Sequence, residues 1–111
     1  MEVLFKPTKA SEVPIRHDYD QAVSYFVGAA AAGDEIGIKE DKGFAINPWT
    51  AVRFENSKTI LNADSATAMG EYYFTTLEGT VAKVEYTFQY KRGADGNLKI
   101  VVHHSSLPYS P

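Results

Sequence analysis

A regular alternation of apolar and polar side chains runs from Thr80 to Lys91 and constrains the fold more than any other feature. One set of alternate positions is apolar or aromatic: Ala82, Val84, Tyr86, Phe88 and Tyr90. The positions between them are charged or polar: Lys83, Glu85, Thr87 and Gln89. Successive side chains of a β-strand point to opposite faces of the sheet. The segment is therefore predicted to be a long strand with one buried face.

Three further segments predict strands: Trp49 to Leu61, Ala66 to Thr76 and Leu98 to Ser106. In the second of them, alternate residues are expected to share one face: Ala66, Ala68, Gly70, Tyr72 and Phe74. The first of them is expected to carry a bulge near Asn56-Ser57. Turns are predicted at Asn47-Pro48, Asn62-Ala63-Asp64-Ser65, Glu78-Gly79 and Asp95-Gly96. Four consecutive long strands joined by tight turns indicate an antiparallel meander.

The first half of the chain is predicted to be mainly helix and connection. Val3 to Phe5 predicts a brief edge strand, because a proline follows closely and limits its extension. Asp18 to Val27 predicts a helix that begins at the Asp18 cap and ends at Gly28. Its apolar stripe is expected to contain Tyr19, Ala22, Val23 and Phe26, with Tyr25 beside it. Ala29 to Gly43 is interpreted as an insertion on the surface, and a helix ahead of a meander indicates the α+β class.

The composition limits the class of protein. A chain of 111 residues with 44% apolar side chains is expected to form one globular domain, 1–111. A net charge of −3 provides no basic surface for nucleic acid, and no apolar run is long enough to span a membrane. The absence of cysteine excludes disulfides, thiolate catalysis and cysteine-bound metals.

The N-terminal residues lack a charged leader followed by an apolar stretch. The chain is therefore expected to be intracellular. It would be cytoplasmic, or organellar (in a plastid) if a targeting segment lies upstream.

The last predicted strand combines an apolar row with polar groups at its end. The row consists of Leu98, Ile100 and Val102. By alternation, His104 and Ser106 continue it, whereas His103 and Ser105 lie on the other face. An irregularity near the end of the strand would exchange the two pairs. Imidazole and hydroxyl groups at the end of an apolar row are typical of a pocket for a small polar ligand.

The histidines do not predict a metal site. His103 and His104 are adjacent on a strand and therefore point to opposite faces, so they are poorly placed to bind one ion together. His17 is remote in sequence, and its neighbours Asp18 and Asp20 fit a solvated helix start.

Seven stretches, in the same order over nearly the whole chain, resemble the iota-class carbonic anhydrases of bacteria, cyanobacteria and algae. They are Val3 to Ala10, Ser24 to Gly28, Gly43 to Thr50, Val52 to Asn56, Met69 to Phe74, Val84 to Phe88 and His103 to Tyr109. The last stretch is also similar to domains related to the association domain of calmodulin-dependent kinase II. The resemblance implies a nuclear-transport-factor-2-like (NTF2-like) cone. In that fold a curved antiparallel sheet of four long strands wraps around helices, and two copies usually pair through the sheet as a homodimer.

The resemblance also implies an activity, the reversible hydration of carbon dioxide to bicarbonate by a lyase. Some members of that class work without metal, while manganese or zinc is associated with others. The matching catalytic positions are Thr8, Tyr25, His104 and Ser106, and those for substrate binding are Thr8, Tyr25, Ser105 and Ser106. From the residues alone, Thr8 is better explained as a helix or turn cap. Tyr25 is equally well explained as an amphipathic core tyrosine.

One departure from the family concerns the N-terminus. Family members carry a long helix ahead of the Phe5-Lys6-Pro7-Thr8 stretch, whereas this chain starts almost there. Its absence is expected to leave the face of Tyr86 and Phe88 exposed. Two alternatives to a carbonic anhydrase therefore stay open. One is a non-catalytic association or small-ligand-binding module. The other is an isomerase or dehydratase of the cone fold, against which the lack of a clear buried carboxylate counts.

Overall fold

The computed structural model describes residues 2–46 and 48–111, and its main element is a five-stranded sheet. The elements are β1 (Leu4–Lys6), α1 (Tyr19–Val27), α2 (Ala29–Ala32), β2 (Trp49–Leu61), β3 (Ser65–Thr76), β4 (Val81–Arg92) and β5 (Leu98–Ser106). The strand order is β1-β5-β4-β3-β2, and β2 to β5 form the antiparallel meander expected from the sequence. The α+β class is confirmed. The edge strand predicted at Val3 to Phe5 is present as β1, and its parallel pairing with β5 was not predicted.

The turn predicted at Asn47-Pro48 falls partly on Asn47, which lies outside the described residues. Within the ranges that the structure describes, no helix has the length and apolar character needed to cross a membrane.

The bulge predicted near Asn56-Ser57 is present in β2. The register between β2 and β3 shifts between Asn56 and Lys58, opposite Gly70 and Met69. Gly70 lies against the bulged backbone. A Cβ atom at this position would be 2.5 Å from the carbonyl oxygen of Glu55 and 2.8 Å from the amide nitrogen of Ser57.

Gly70→Ala is expected to lower the free energy of unfolding by about 2–3 kcal/mol, because backbone atoms on a paired strand move aside only with strain. Urea denaturation measures this loss. Gly93→Ala is the matched control, since its nearest contact would be the carboxylate end of the Asp95 side chain at 3.0 Å, which can rotate away. Equal losses in the two variants would show that the bulge does not depend on glycine.

The core lies on the inner face of the sheet. It consists of Tyr72, Phe74, Val84, Tyr86 and Phe88, with Phe44, Trp49 and Tyr90 packed against it. The alternating rows predicted for β3 and β4 are thus confirmed. The expectation that Tyr86 and Phe88 are exposed is wrong, because other rings of the chain cover them. The ring of Phe54 lies 5.7 Å from Tyr86, and that of His103 lies 4.2 Å from Phe88.

A second bulge, in β5, reverses the alternation predicted for the last strand. Tyr90 of β4 pairs with Ile100, and the next residue of β4, Gln89, pairs with Val102. Val101 is therefore an extra residue on β5. An extra residue shifts every later side chain of a strand to the opposite face.

The prediction that His104 and Ser106 point inward is consequently wrong. His103 and Ser105 pair with Phe88 and Tyr86 of the inner row of β4 and share their face. Ser105 is only 3% exposed, whereas His104 is open to solvent on the outer face.

Helix α1 begins and ends as predicted. The carboxylate of Asp18 accepts a hydrogen bond from the amide of Gln21 at 2.9 Å, and the amide of Gly28 bonds to the carbonyl of Ser24 at 2.8 Å. The predicted apolar stripe needs correction, because Tyr19 is 73% exposed and Tyr25 is 5% exposed. The helix therefore points Tyr25 into the protein.

The segment from Ala29 to Gly43 is not a plain surface insertion, because it carries a buried carboxylate. Asp41 binds the guanidinium of Arg16 through both oxygens at 2.7 Å, and both side chains are fully buried. The hydroxyl of Ser24 donates a further hydrogen bond to Asp41 at 2.5 Å. This network joins the segment to α1 directly beneath Tyr25, whose ring lies 5.6 Å from the Arg16 guanidinium carbon.

Candidate active site

Three polar side chains meet at the end of the inner face. Ser105 and His103 come from β5 and Tyr72 from β3. The hydroxyl of Ser105 lies 3.0 Å from Nε2 of His103, and the Tyr72 hydroxyl lies 3.1 Å from the same nitrogen. Tyr72 and Ser105 also form a hydrogen bond with each other. The three groups form a closed triangle that we call the polar triad (Tyr72, His103 and Ser105).

Thr8 and Tyr25 share a small cavity with the polar triad. The cavity measures about 20 Å³. Its walls are completed by Phe5, Pro7, Phe26 and Phe44. A water molecule needs about 10–15 Å³ of such space, so this cavity has room for roughly one. The structure therefore brings Thr8, Tyr25 and Ser105 together around one hollow.

Burial keeps both phenols of the cavity protonated. It raises the pKa of Tyr25, against the opposing effect of hydrogen bonds with the Lys9 amide and the Thr8 side chain. Burial likewise raises the pKa of Tyr72, and the hydrogen bond to Ser105 opposes it. Tyr25 and Tyr72 are therefore hydrogen-bond donors at neutral pH.

His103 is neutral at the same pH. Its ring is stacked between Phe88 at 4.2 Å and Phe5 at 4.9 Å. Burial lowers the pKa of His103 to about 4, and the neighbouring His104 contributes in the same direction. A neutral imidazole keeps one nitrogen free to accept a proton. The cavity thus combines two protonated phenols with one unprotonated base.

The predicted site residues are divided between the two faces of the sheet. Thr8, Tyr25 and Ser105 line the inner cavity. His104 and Ser106 line an open groove on the outer face, separated from that cavity by the sheet. The catalytic and binding roles predicted for all five residues stay predictions.

The sequence analysis did not name Tyr72 as a site residue, and it gave His103 only as the alternative to His104. Tyr72 had a usable signal, since it belongs to the predicted inner row of β3. No signal favoured His103 over His104, because Val101 and Val102 are both apolar and leave the alternation of β5 undefined across the bulge.

The residues do not fit a manganese or zinc site. Across 2–46 and 48–111, no group of three or more histidine, aspartate or glutamate side chains is arranged to hold a metal ion. The carboxylate of the buried network, Asp41, is already bound by Arg16 and Ser24.

The fold places the chain among the NTF2-like cone proteins. A solved protein from Thiobacillus denitrificans, assigned as a calcium/calmodulin-dependent protein kinase type II association domain, is 16% identical with a TM-score of 0.66. The comparison covers 96% of this chain and 72% of that protein. A protein from Streptomyces avermitilis, assigned as a dehydratase of the NTF2-like family, is 14% identical with a TM-score of 0.60 and covers 98% and 67%. At these identities the likeness concerns the fold alone.

Within that fold, the chain belongs to the metal-independent carbonic anhydrase family, because the model of that family matches residues 1–107. It is 40% identical over 108 residues to the metal-independent carbonic anhydrase of Nostoc sp. strain PCC 7120, covering 96% of this chain and 50% of that protein. The chain thus spans about half the length of the curated relative it matches. The solved iota-carbonic anhydrase of a cyanobacterium, complexed with bicarbonate, is 38% identical with a TM-score of 0.84, covering 99% and 65%.

Proposed function

We propose that this chain is a carbonic anhydrase that hydrates carbon dioxide reversibly to bicarbonate without a metal. Membership of the metal-independent family supports the activity. The observation that carries the proposal is the cavity for one water molecule, bordered by an unprotonated imidazole and by phenol and alcohol hydroxyls.

The polar triad is suited to activate that water. As the water oxygen forms its bond to the carbon of carbon dioxide, one of its protons becomes acidic and must leave. His103 Nε2 receives this proton, directly or through the hydroxyl of Ser105 at 3.0 Å. The products are bicarbonate and protonated His103. Because burial disfavours the charged imidazole, His103 then returns its proton to solvent. General-base assistance contributes roughly 10²- to 10⁴-fold in rate when the pKa of the base lies near the operating pH, so the lowered pKa of His103 puts its contribution at the low end of that range.

Two hydroxyl groups stabilise the negative charge that develops on carbon dioxide during the attack. Electrons of a C=O bond move onto an oxygen of carbon dioxide, and a donor held close to that oxygen stabilises it. Tyr25 and Thr8 line the same cavity as the polar triad and can donate hydrogen bonds there. The aromatic walls at Phe5, Phe26 and Phe44 exclude bulk water, which strengthens these hydrogen bonds.

Stopped-flow measurement of carbon dioxide hydration with a pH indicator tests the activity. We expect catalysis above the buffer rate that persists after exhaustive treatment with a chelator, because no step uses a metal. No catalysis above the buffer rate would favour the non-catalytic association or ligand-binding module. Loss of activity with the chelator and recovery with manganese or zinc would overturn metal independence.

A homodimer that pairs through the outer face of the sheet is part of the proposal. Ile60 and Met69 expose large apolar side chains on that face, which a second copy would cover. The intracellular location stays a prediction.

A further inference from the structure

The side chain of Arg16 is charged and fully buried, yet it does not line the inner cavity. Burying a guanidinium costs free energy, because the charge leaves water. The hydrogen bonds of Arg16 offset this cost, and they join parts of the chain that are separate in sequence.

The backbone of Arg16 is tied to β1. Its amide donates to the carbonyl of Phe5 at 2.8 Å, and its carbonyl accepts from the amide of Phe5 at 2.9 Å. Phe5 lines the inner cavity, and so does Thr8, three residues further along the chain. Arg16 thus anchors the strand from which the loop with Thr8 begins.

The side chain of Arg16 closes that loop and reaches α1. We call residues 7–15, which connect β1 to Arg16, the Thr8 loop. Nε of Arg16 donates to the carbonyl of Val13 in this loop at 3.1 Å. A terminal nitrogen donates to the carbonyl of Gln21 in α1, also at 3.1 Å. One guanidinium therefore connects the loop that carries Thr8 with the helix that carries Tyr25.

Asp41 extends this connection to the residue beside Tyr25. It accepts two hydrogen bonds from Arg16 at 2.7 Å and one from the hydroxyl of Ser24 at 2.5 Å. Ser24 precedes Tyr25 in α1 and is fully buried. Tyr25 is in turn joined to another wall of the cavity, because its carbonyl accepts from the amide of Phe44 at 3.0 Å. The position of Tyr25 in the cavity is therefore set through Arg16 and Asp41.

The direct link between the Thr8 loop and Tyr25 is weak by comparison. The amide of Lys9 donates to the Tyr25 hydroxyl at 3.4 Å, beyond the usual range of about 2.7–3.2 Å. A contact of this length does not fix the distance between the loop and the helix. The shorter hydrogen bonds of Arg16 do.

We propose that Arg16 is a positioning residue for the hydration of carbon dioxide. It holds the Thr8 loop and α1 at the spacing at which the hydroxyls of Thr8 and Tyr25 both reach the reacting molecule. This inference rests on the proposed function, in which those two hydroxyls donate to the developing charge. Arg16 acts through them, so its removal should disturb the geometry of the transition state while every reacting group is still present.

The kinetic test uses Arg16→Met/Asp41→Leu, which breaks the connection and leaves neither partner buried as an unpaired charge. We expect kcat for hydration to fall about 10- to 100-fold, because a misplacement of about 1 Å at a reacting centre costs up to roughly 100-fold. KM should change by less than about threefold, since no group that binds substrate is removed. Stopped-flow kinetics measures both constants.

Asp95→Asn/Lys99→Met is the matched control. It also removes one positive and one negative charge, from an exposed ion pair at the turn between β4 and β5. The asparagine keeps a side chain suited to that turn. This variant should leave kcat within about twofold.

Arg16→Lys is the second variant, and it also serves if the double variant does not fold. Lysine keeps a positive charge beside Asp41. It lacks the planar fork of donors that reaches the carbonyls of Val13 and Gln21 at the same time. If Arg16 only compensated the charge of Asp41, lysine would preserve the rate, whereas a positioning role requires that kcat falls.

A structural measurement separates this inference from the proposed function. The Thr8 side chain hydrogen-bonds to the Tyr25 hydroxyl, so NMR should detect a nuclear Overhauser contact between the Thr8 methyl group and the Tyr25 ring. We expect both Arg16 variants to weaken this contact. The contact between the rings of His103 and Phe88, 4.2 Å apart, should stay unchanged in the same spectra.

The outcomes are distinct. Weaker contact between Thr8 and Tyr25 in the variants of a protein without hydration activity would overturn the proposed function and leave the positioning by Arg16 standing. In an active protein, variants that keep the full rate would overturn the inference and leave the activity standing. A fall in kcat without a weaker contact, or an Arg16→Lys variant with the full rate, would overturn the inference as well.

Discussion

Ser105→Ala is expected to lower kcat/KM for carbon dioxide hydration about 100- to 1,000-fold, the usual cost of losing one buried hydrogen-bonding group at a reacting centre. Ser105 contacts both Tyr72 and His103 in the polar triad. Without its hydroxyl, the water loses a partner and the proton loses one of its two routes to the imidazole. Stopped-flow kinetics measures the effect.

The neighbouring residue provides the control. Ser106→Ala removes the same hydroxyl from the same strand, but on the outer face, and should leave kcat/KM within about twofold. Thermal unfolding checks that the fold of Ser105→Ala is intact. We expect that it is, because Tyr72 keeps its 3.1 Å contact with His103. If that variant does not fold, Tyr72→Phe tests the same triad. A larger loss for Ser106→Ala than for Ser105→Ala would move the site to the outer face.

The sheet was predictable because the sequence of each long strand shows a local pattern that is typical of a strand. Period-two alternation identified β2 to β5, and the Glu78-Gly79 and Asp95-Gly96 turns fixed how they connect. The Ser57 bulge was also predicted. β1 could not be placed, because three residues contain too little pattern to specify a parallel partner at the far edge.

The site was less predictable because its orientation depends on one inserted residue. The face on which a strand residue lies is inferred by counting alternate residues from the start of the strand. The extra residue Val101 shifts that count by one position. Two adjacent valines fit either face equally well, so the sequence left both pairs open. Only the pairing of β5 with β4 selects His103 and Ser105 over His104 and Ser106.

The buried ion pair was invisible for a different reason. Arg16 and Asp41 are charged residues in irregular segments, and such residues are usually exposed. They lie 25 positions apart, so no local spacing marks them as partners. Their burial arises only when α1 and the segment after it pack together.

Asp41→Asn is expected to lower the free energy of unfolding by about 3–5 kcal/mol, because the buried guanidinium of Arg16 loses its close partner and keeps only the carboxylate of Glu40, 3.7 Å away. Urea denaturation followed by Trp49 fluorescence measures this loss. The protein contains a matched comparison, since Lys83 and Glu71 also approach to 2.7 Å but are 48% and 33% exposed. Water screens that pair, so Glu71→Gln should cost at most about 1 kcal/mol.

A compensating double variant distinguishes two contributions to the free energy of unfolding: the loss caused by an unpaired buried charge and the stabilisation by the ion pair itself. Arg16→Met/Asp41→Leu removes both charges and keeps apolar volume in the same place. Buried ion pairs replaced in this way are often neutral or gain stability, so the double variant should recover most of the loss. Ser24 keeps a partner in either case, because its hydroxyl also accepts from the Ile38 amide at 2.8 Å. If the double variant is as unstable as Asp41→Asn, the pair itself holds α1 and its Tyr25 in place, and its role is positioning as well as charge compensation.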